Sequence, residues 1–279
     1  MACRGSMNLS YPKFPFKIGA SSMVFGKDLL KNVRTLAGLL DHIEIVLFHT
    51  PHLHNIPRGR EIRLLKQIGR QEKVTFTIHL PPSLEIASPD KKKREESLRL
   101  AKELCLKTMG FEPKYYILHL PFSPPTLVPI PGLYFNTENQ EDWDGWTNRA
   151  FESLEILHDV LGQSNKLLIE NINYSPYFLE PFMNQGLCEL CLDLGHLILG
   201  QEHVMDSLKR YLKFTRVIHL HGVKGYEDHL SLSILPKNLV HEWMIYLKKA
   251  PFQGEIVLEV FSPQDLKESL NIVLETPCH

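Results

Sequence analysis

The sequence contains no apolar run approaching the roughly 20 residues that a membrane-spanning helix requires. It also lacks a surplus of positive charge, because 31 lysines and arginines face 32 aspartates and glutamates, for a formal net charge of -1. This balance argues against recognition of nucleic acid through a basic surface. With 43% hydrophobic and 23% charged residues in 279, the chain is typical of a soluble globular protein with a large core.

Cysteine is scarce as well. The chain has 5 cysteines, an odd number, and no secretory hydrophobic segment is evident, so we expect reduced thiols in a cytoplasmic protein. Cys188 and Cys191 form a C-x-x-C, but there is no second pair to complete a four-cysteine zinc site. The surrounding residues resemble a strand rather than the start of a helix, so we expect both to be ordinary buried thiols.

Apolar β-type runs alternate with amphipathic helical patterns along the chain. The strand candidates are residues 16–22, 42–48, 74–80, 115–120, 166–172, 188–194, 216–222 and 255–261. Eight βα units in ~260 residues predict an α/β fold of the (β/α)8 TIM barrel type. A doubly wound open sheet is the alternative, but no G-x-G-x-x-G motif follows the first strand, so no nucleotide cofactor is predicted.

The pattern predicts one barrel domain over residues 16–279, with residues 1–15 disordered. Ser88 is expected to cap, and Pro89 to begin, the helix after the third strand. A long connection rich in proline and aromatic residues spans about 121–146. Since the loops that follow barrel strands form the active-site face, this segment is interpreted as a lid or substrate wall carrying Trp143 and Trp146.

Polar side chains occur at the ends of strands three to eight. In a parallel barrel these strand ends face a common mouth. The candidates are His79, His119, Glu170 with Asn171, Asp193 and His196, His219 and Glu259, and the loop after strand seven adds Asp228 and His229. We expect His221 and His49 to lie outside this set.

Burial of so many imidazoles and carboxylates without a compensating cation would be costly, because desolvated carboxylates are poorly stabilised and repel one another. A divalent metal removes this cost. Imidazole nitrogen and carboxylate oxygen suit Zn²⁺ above all, with Mn²⁺ or Fe²⁺ as alternatives, and the absence of cysteine favours a catalytic over a structural site.

The motifs at these positions resemble the xylose isomerase-like barrels, which include apurinic endonucleases and sugar isomerases or epimerases. The shared signature is Glu at strand five, Asp-x-x-His at strand six, His at strand seven and Glu at strand eight. Here the segments read LIENI, LDLGH, IHLHG and LEVF, and supply Glu170, Asp193 with His196, His219 and Glu259. The nuclease branch adds histidines at strands three and four, matched by His79 and His119, and an Asp-x-His. This chain instead has adjacent Asp228 and His229.

A further resemblance covers about Phe16 to Ser262. The segments FKIGASSMVF, IHLPPSLEIASPD, CLDLGHL, RVIHLHGV with DHLSL, and LEVFS are similar to those of cobamide-remodelling phosphodiesterases. This resemblance implies hydrolysis of the nucleotide-loop phosphodiester of a cobamide to cobinamide phosphate, with one to three divalent metal ions. It implies a corrinoid, a small-molecule substrate, and the charge balance and short apolar runs predict neither nucleic acid nor membrane as partner. Glu170 would hold the nucleophile, while Asp228 and His229 would bind a further metal or protonate the leaving group.

Other functions remain open from the sequence. A sugar isomerase or epimerase would use one divalent metal, with Glu170 and Glu259 as an acid and base pair. His79 and His119 separate the two hypotheses, since a single-metal isomerase does not require both as ligands. A corrinoid carrier without catalysis has no need of the full polar set, and DNA repair is disfavoured by the charge balance.

Overall fold

The computed structural model describes residues 14–122, 143–162, 166–172, 174–250 and 252–277. Most of the N-terminal segment predicted to be disordered and most of the predicted lid, residues 1–13 and 123–142, lie outside the described residues. None of the helices in the described ranges is long and apolar enough to cross a membrane.

Eight parallel strands close into a barrel, which confirms the predicted fold. The strands are β1 (Lys17–Ser21), β2 (His42–Val46), β3 (Thr75–His79), β4 (Tyr116–His119), β5 (Leu167–Glu170), β6 (Glu189–Asp193), β7 (Thr215–Leu220), β8 (Gly222–Lys224), β9 (Glu227–Leu230) and β10 (Glu255–Leu258). The barrel order is β1-β10-β7-β6-β5-β4-β3-β2, and β8 and β9 form a separate antiparallel hairpin. Each barrel strand overlaps a predicted strand, whereas the hairpin was predicted only as a loop.

Helices follow the barrel strands and cover the outside of the barrel. They are α1 (Leu29–Ala37), α2 (Gly59–Glu72), α3 (Lys91–Thr108), α4 (Trp143–Val160), α5 (Glu180–Asn184), α6 (Leu194–Leu199), α7 (Val204–Tyr211), α8 (Lys237–Lys249) and α9 (Pro263–Leu274). The predicted start of α3 at Ser88 and Pro89 was wrong. Asp90 is the N-cap instead, because its carboxylate accepts the backbone N–H groups of Lys92 and Lys93.

Strand alternation explains why polar residues gather at one end of the barrel. An apolar layer inside the barrel consists of Ile117, Leu168, Cys191, Val217 and Val257. Residues two apart on a strand face the same side. The residues two positions further along are therefore directed into the barrel mouth, and they are His119, Glu170, Asp193, His219 and Glu259. Residues between these positions, such as Ile169 and Ile218, join the core that packs against the helices.

The structure corrects the assignment of Trp146 to a substrate lid. Trp146 lies in α4, is 0% exposed, and donates its indole N–H to the Pro121 carbonyl oxygen at 2.9 Å. It stacks on Phe122 and contacts Tyr174. The reason is helical periodicity: Trp146 belongs to the buried face of α4 and not to the loop before it. Trp143, which begins α4, is only partly buried and packs against Phe122.

Candidate metal centre

Glu170 at the end of β5 connects most of the polar cluster. Its side chain is 1% exposed. Oε2 lies 3.0 Å from Nε2 of His79 and 3.2 Å from Nε2 of His119. Oε1 lies 3.3 Å from Nδ1 of His196 and 3.4 Å from Nδ1 of His219. One carboxylate therefore faces two sets of imidazoles, one on each oxygen.

Glu170 belongs to two groups of potential ligands that consist of histidines and carboxylates alone. The His79 group contains His79, His119 and Glu170, and the Glu259 group contains Glu170, Asp193, His219 and Glu259. Within each group, one ligand atom per residue lies within 4.8 Å of the others. Side chains from six of the eight barrel strands thus meet around a shared carboxylate.

Two atoms of the Glu259 group are buried without a hydrogen bond. Nδ1 of His219 and Oε2 of Glu259 lie 3.0 Å apart, yet neither has a hydrogen-bond partner among the described residues. Buried polar atoms are usually paired, because an unsatisfied one loses its interaction with water. A nitrogen and an oxygen that converge in this way fit a shared bound cation.

The Asp-x-x-His spacing has a local structural cause. Asp193 ends β6 and is also the N-cap of α6, where its Oδ1 accepts the backbone N–H of His196 at 2.7 Å. The first turn of α6 then places both side chains at the barrel mouth. Asn171 fixes this junction, because its side chain exchanges hydrogen bonds with the backbone N–H and carbonyl of Asp193 at 2.8 and 3.0 Å.

The expectation that His221 lies outside the cluster was wrong. His221 is 0% exposed, and its Nε2 lies 3.2 Å from the carboxylate of Asp193. It follows His219 by two residues, so strand alternation keeps both imidazoles on the same side. Nδ1 of His221 accepts the backbone N–H of His229 at 3.0 Å. The proton of His221 is then on Nε2, from which it is donated to Asp193.

A three-histidine group lies beside the Glu259 group. It contains His196, His221 and His229, with one nitrogen from each within 4.8 Å of the others. Asp228 is at its margin: its Oδ2 lies 3.9 Å from Nε2 of His196 and 3.8 Å from Nε2 of His229. The hairpin positions His229 with a left-handed φ of 52°, a conformation that is uncommon outside glycine and is often found at functional sites.

The histidines are oriented as metal ligands usually are. Ligating histidines almost always donate their second N–H to a carbonyl or a carboxylate. Nδ1 of His79 lies 2.8 Å from the Leu80 carbonyl oxygen, and Nδ1 of His196 lies 3.0 Å from that of Asn171. Nδ1 of His229 lies 3.2 Å from the Glu259 carbonyl oxygen. In each case Nδ1 has a backbone carbonyl partner and Nε2 faces another side chain of the polar mouth, which is Glu170 for His79 and Asp228 for His196 and His229. These residues therefore fit a divalent metal.

Burial and mutual charge shift the pKa values in this cluster. Burial lowers the pKa of His79, but its hydrogen bond with Glu170 and nearby carboxylate charges raise it to about 9. Burial likewise opposes protonation of His196, and the charges of Asp193 and Glu170 outweigh it and raise its pKa to about 10. Burial raises the pKa of Glu259, whereas the charges of His219 and His229 bring it down to about 2.

These shifts describe carboxylates that stay ionised and are balanced by protons on imidazoles. In the described ranges, the ion pairs of Glu170, Asp193 and Glu259 are all with histidines and none is with lysine or arginine. Metal binding to imidazole displaces such protons, so the cluster is able to exchange protons for a divalent cation.

The family of the chain follows from its sequence match. Residues 35–276 match the family described as Xylose isomerase-like TIM barrel. The chain belongs to this family. The barrel that residues 17–258 form, with its polar mouth, is therefore the xylose isomerase-like barrel that the strand-end motifs indicated.

Solved structures with the same fold include sugar epimerases and an endonuclease. A D-tagatose 3-epimerase-like protein has 20% sequence identity and a TM-score of 0.68, with 93% of this chain and 99% of the other covered. A 3-keto-D-glucoside 4-epimerase from E. coli has 13% identity and a TM-score of 0.68, with 94% and 100% covered. Endonuclease IV from Thermus thermophilus has 17% identity and a TM-score of 0.64, with 92% and 97% covered. No curated protein sequence is significantly similar to the chain.

Sequence reasoning missed Glu44, a buried acid next to the ligand groups. It is 0% exposed in β2, and its Oε2 lies 3.0 Å from Nε2 of His219. A signal was present, because a carboxylate in the middle of the apolar run HIEIV is unusual for a buried strand.

Cys188 and Cys191 are buried thiols and His49 lies outside the ligand groups of the described residues, as predicted, but Cys191 also lies next to the polar cluster. Cys188 and Cys191 are free and buried, and burial raises the pKa of both thiols. Cys191 nevertheless faces the barrel interior, where it forms a further group of potential ligands with Glu170 and His219. His49 joins none of the ligand groups of the described residues, and its Nδ1 lies 3.1 Å from Nδ1 of the exposed His54.

Proposed function

We propose that the protein is a metal-dependent phosphodiester hydrolase. The observation that carries this proposal is the shared carboxylate of Glu170, which joins the His79 group to the Glu259 group as two adjacent potential metal sites. Two divalent metals at adjacent sites are a common arrangement for in-line displacement at phosphorus, where they activate water and neutralise charge on the attacking and leaving oxygens.

The residues of the chain would have separate roles in this reaction. Glu170 accepts a hydrogen bond from the attacking water and orients it toward phosphorus. The metals would be held by Asp193, His196, His219 and Glu259, together with His79 and His119. His229 has a side chain that is 22% exposed at the mouth. It is therefore accessible to a substrate, and it protonates the leaving oxygen with Asp228 beside it.

The more specific proposal is that the substrate is a cobamide, hydrolysed at its nucleotide-loop phosphodiester to cobinamide phosphate. Support comes from the strand-end motifs, above all RVIHLHGV and LEVFS. The net charge of -1 also suits a large, flat corrinoid better than a polyanionic nucleic acid. Location in the cytoplasm, where the thiols would stay reduced, is part of the same proposal.

Epimerisation of a sugar or keto-sugar is the second candidate. Glu170 and Glu259 belong to one four-residue group, so a single metal there would leave both carboxylates next to a bound substrate. The fold likeness to two epimerases is consistent with this alternative. It assigns no metal to the His79 group.

The first experiment is anaerobic incubation of the metal-loaded protein with adenosylcobalamin, followed by mass analysis of the corrinoid. Cobinamide phosphate that forms only with metal, and not with Glu170→Ala, supports the specific proposal. Hydrolysis of bis-p-nitrophenyl phosphate without cobamide cleavage would keep the reaction class and reject the cobamide. Conversion of D-tagatose with no diester hydrolysis would reject both the phosphodiesterase reaction and the cobamide substrate, and would favour the epimerase function.

Substitution of His79 and His119 tests the mechanism independently of the substrate. If the protein is a two-metal hydrolase, His79→Ala and His119→Ala each lower the metal content per chain and abolish turnover. His203→Ala is the matched control, because the side chain of His203 is 74% exposed and Asp206 is its one ion-pair partner among the described residues. One metal per chain, with turnover intact in both variants, would contradict the hydrolase proposal.

A further inference from the structure

We propose that Glu44 is a positioning residue that fixes the tautomer and orientation of His219 as a metal ligand. This inference rests on the metal centre of the proposed function and adds to it a residue on β2, which, like β1, contributes no member to the ligand groups of the described residues.

The placement of Glu44 follows from strand alternation. Its neighbours Ile43 and Ile45 are 0% exposed and belong to the core between barrel and helices. Glu44 is therefore directed to the barrel interior. In the barrel order, β1 and β10 separate β2 from β7, so the carboxylate reaches His219 across the interior and not from a neighbouring strand.

The contact with Glu44 gives the two ring nitrogens of His219 different roles. Nε2 lies 3.0 Å from Oε2 of Glu44, and a carboxylate can only accept, so Nε2 carries the proton. When a cation displaces the second proton of the ring, Nδ1 is therefore the nitrogen that offers its lone pair. It lies 3.0 Å from Oε2 of Glu259, 3.4 Å from Oε1 of Glu170 and 3.6 Å from Oδ2 of Asp193. The nitrogen free to bind a cation is thus the one that faces the other three ligands.

A role in stability alone does not account for this carboxylate. In the part of the chain that the structure describes, its only ion-pair partner is His219, and its Oε1 has no hydrogen bond. A buried carboxylate held in this way is costly, and an apolar residue of similar volume would often be at least as stable. A carboxylate behind a ligating histidine, by contrast, raises the basicity of the ligand and orients the ring.

Zinc affinity tests the proposal directly. Competition with a chromophoric chelator is expected to show that Glu44→Ala weakens one step of the zinc titration by about 10- to 100-fold, the usual effect of losing such a partner. Glu44→Gln should weaken it less, because its amide oxygen still accepts the N–H but supplies no charge. If Glu44→Ala does not fold, Glu44→Gln decides the matter by the same titration.

Glu255→Gln is the matched control. Glu255 is also 0% exposed and pairs with Lys114. It lies at the first residue of β10, at the opposite end of that strand from the ligand Glu259. It should leave the zinc steps unchanged. Unchanged zinc affinity in the folded Glu44 variants, or equal losses in Glu44→Gln and Glu255→Gln, would overturn the inference.

The tautomer gives a readout that does not depend on activity. Nitrogen-15 NMR of the zinc-loaded protein should find the proton of His219 on Nε2, and a proton on Nδ1 would refute the proposal. A protein that binds zinc but hydrolyses no diester would refute the proposed function and leave the role of Glu44 intact. A protein that binds no divalent metal would refute both.

Discussion

Nε2 of His221 donates to the carboxylate of Asp193 at 3.2 Å, and the two residues hold adjoining strands together at the barrel mouth. Space for this ring depends on Gly195. A Cβ atom at position 195 would lie 2.0 Å from Cε1 and 2.4 Å from Nε2 of His221. The glycine inside the Asp-x-x-His motif is thus required by the imidazole that directly follows the next barrel strand, β7.

Gly195→Ala is therefore expected to displace His221 and to lower the free energy of unfolding by about 1–3 kcal/mol, as overpacking does. Urea denaturation measures this loss. Gly38→Ala is the control, because its Cβ would meet only the Thr35 carbonyl oxygen at 3.9 Å. Equal stability of the two variants would show that the ring moves without cost.

Glu170→Ala should remove more than one metal per chain, since the carboxylate belongs to both the His79 group and the Glu259 group. The loss of metal affinity should be larger than about 10- to 100-fold, which is the usual effect of removing a residue that only orients a ligand. Metal analysis after gel filtration measures it. Glu112→Ala serves as control, with a side chain 64% exposed and paired with Lys66, and loss of a single ion by Glu170→Ala would contradict the sharing of Glu170.

The metal-free protein should be most stable between the ordinary pKa values of glutamate and histidine, 4.5 and 6.5. The pKa of Glu259 is lowered to about 2, so the unfolded chain binds more protons between about 2 and 4.5, and stability falls as pH falls through this window. The pKa values of His79 and His196 are raised to about 9 and 10, so the folded chain binds more protons above 6.5, and stability falls as pH rises toward 10.

Denaturation of chelator-treated protein across this pH range measures the loss of stability on both the acid and the alkaline side. Zinc should reduce the loss of stability at alkaline pH, because it takes the place of the imidazole protons. Stability that is constant from neutral to alkaline pH without metal would contradict the raised pKa values.

Trp146→Ala should lower the free energy of unfolding by about 3–5 kcal/mol, the usual cost of truncating a buried aromatic side chain. The milder Trp146→Phe should fold and leave KM unchanged, since Trp146 is 0% exposed. Trp143→Phe, at the partly buried start of α4, is the matched comparison. A rise in KM specific to Trp146→Phe would restore the lid interpretation.

The barrel and most of the polar residues at its mouth could be predicted from the amino-acid pattern. Alternating βα patterns define eight strands, and parallel strands in a closed barrel bring their carboxyl ends together whatever the helices between them. Local rules also sufficed for Asp193 and His196, because an N-cap and the first helical turn fix their spacing.

Contacts between side chains across the barrel could not be predicted in this way, because they depend on how the strands close. Glu44 and His219 are 175 residues apart in the chain, and no local pattern specifies a contact between strands that are not neighbours. The burial of Trp146 also involves residues from other parts of the chain, because its ring packs against Phe122 and Tyr174. Periodicity determines which face of an element is apolar, whereas barrel closure and packing determine what that face contacts.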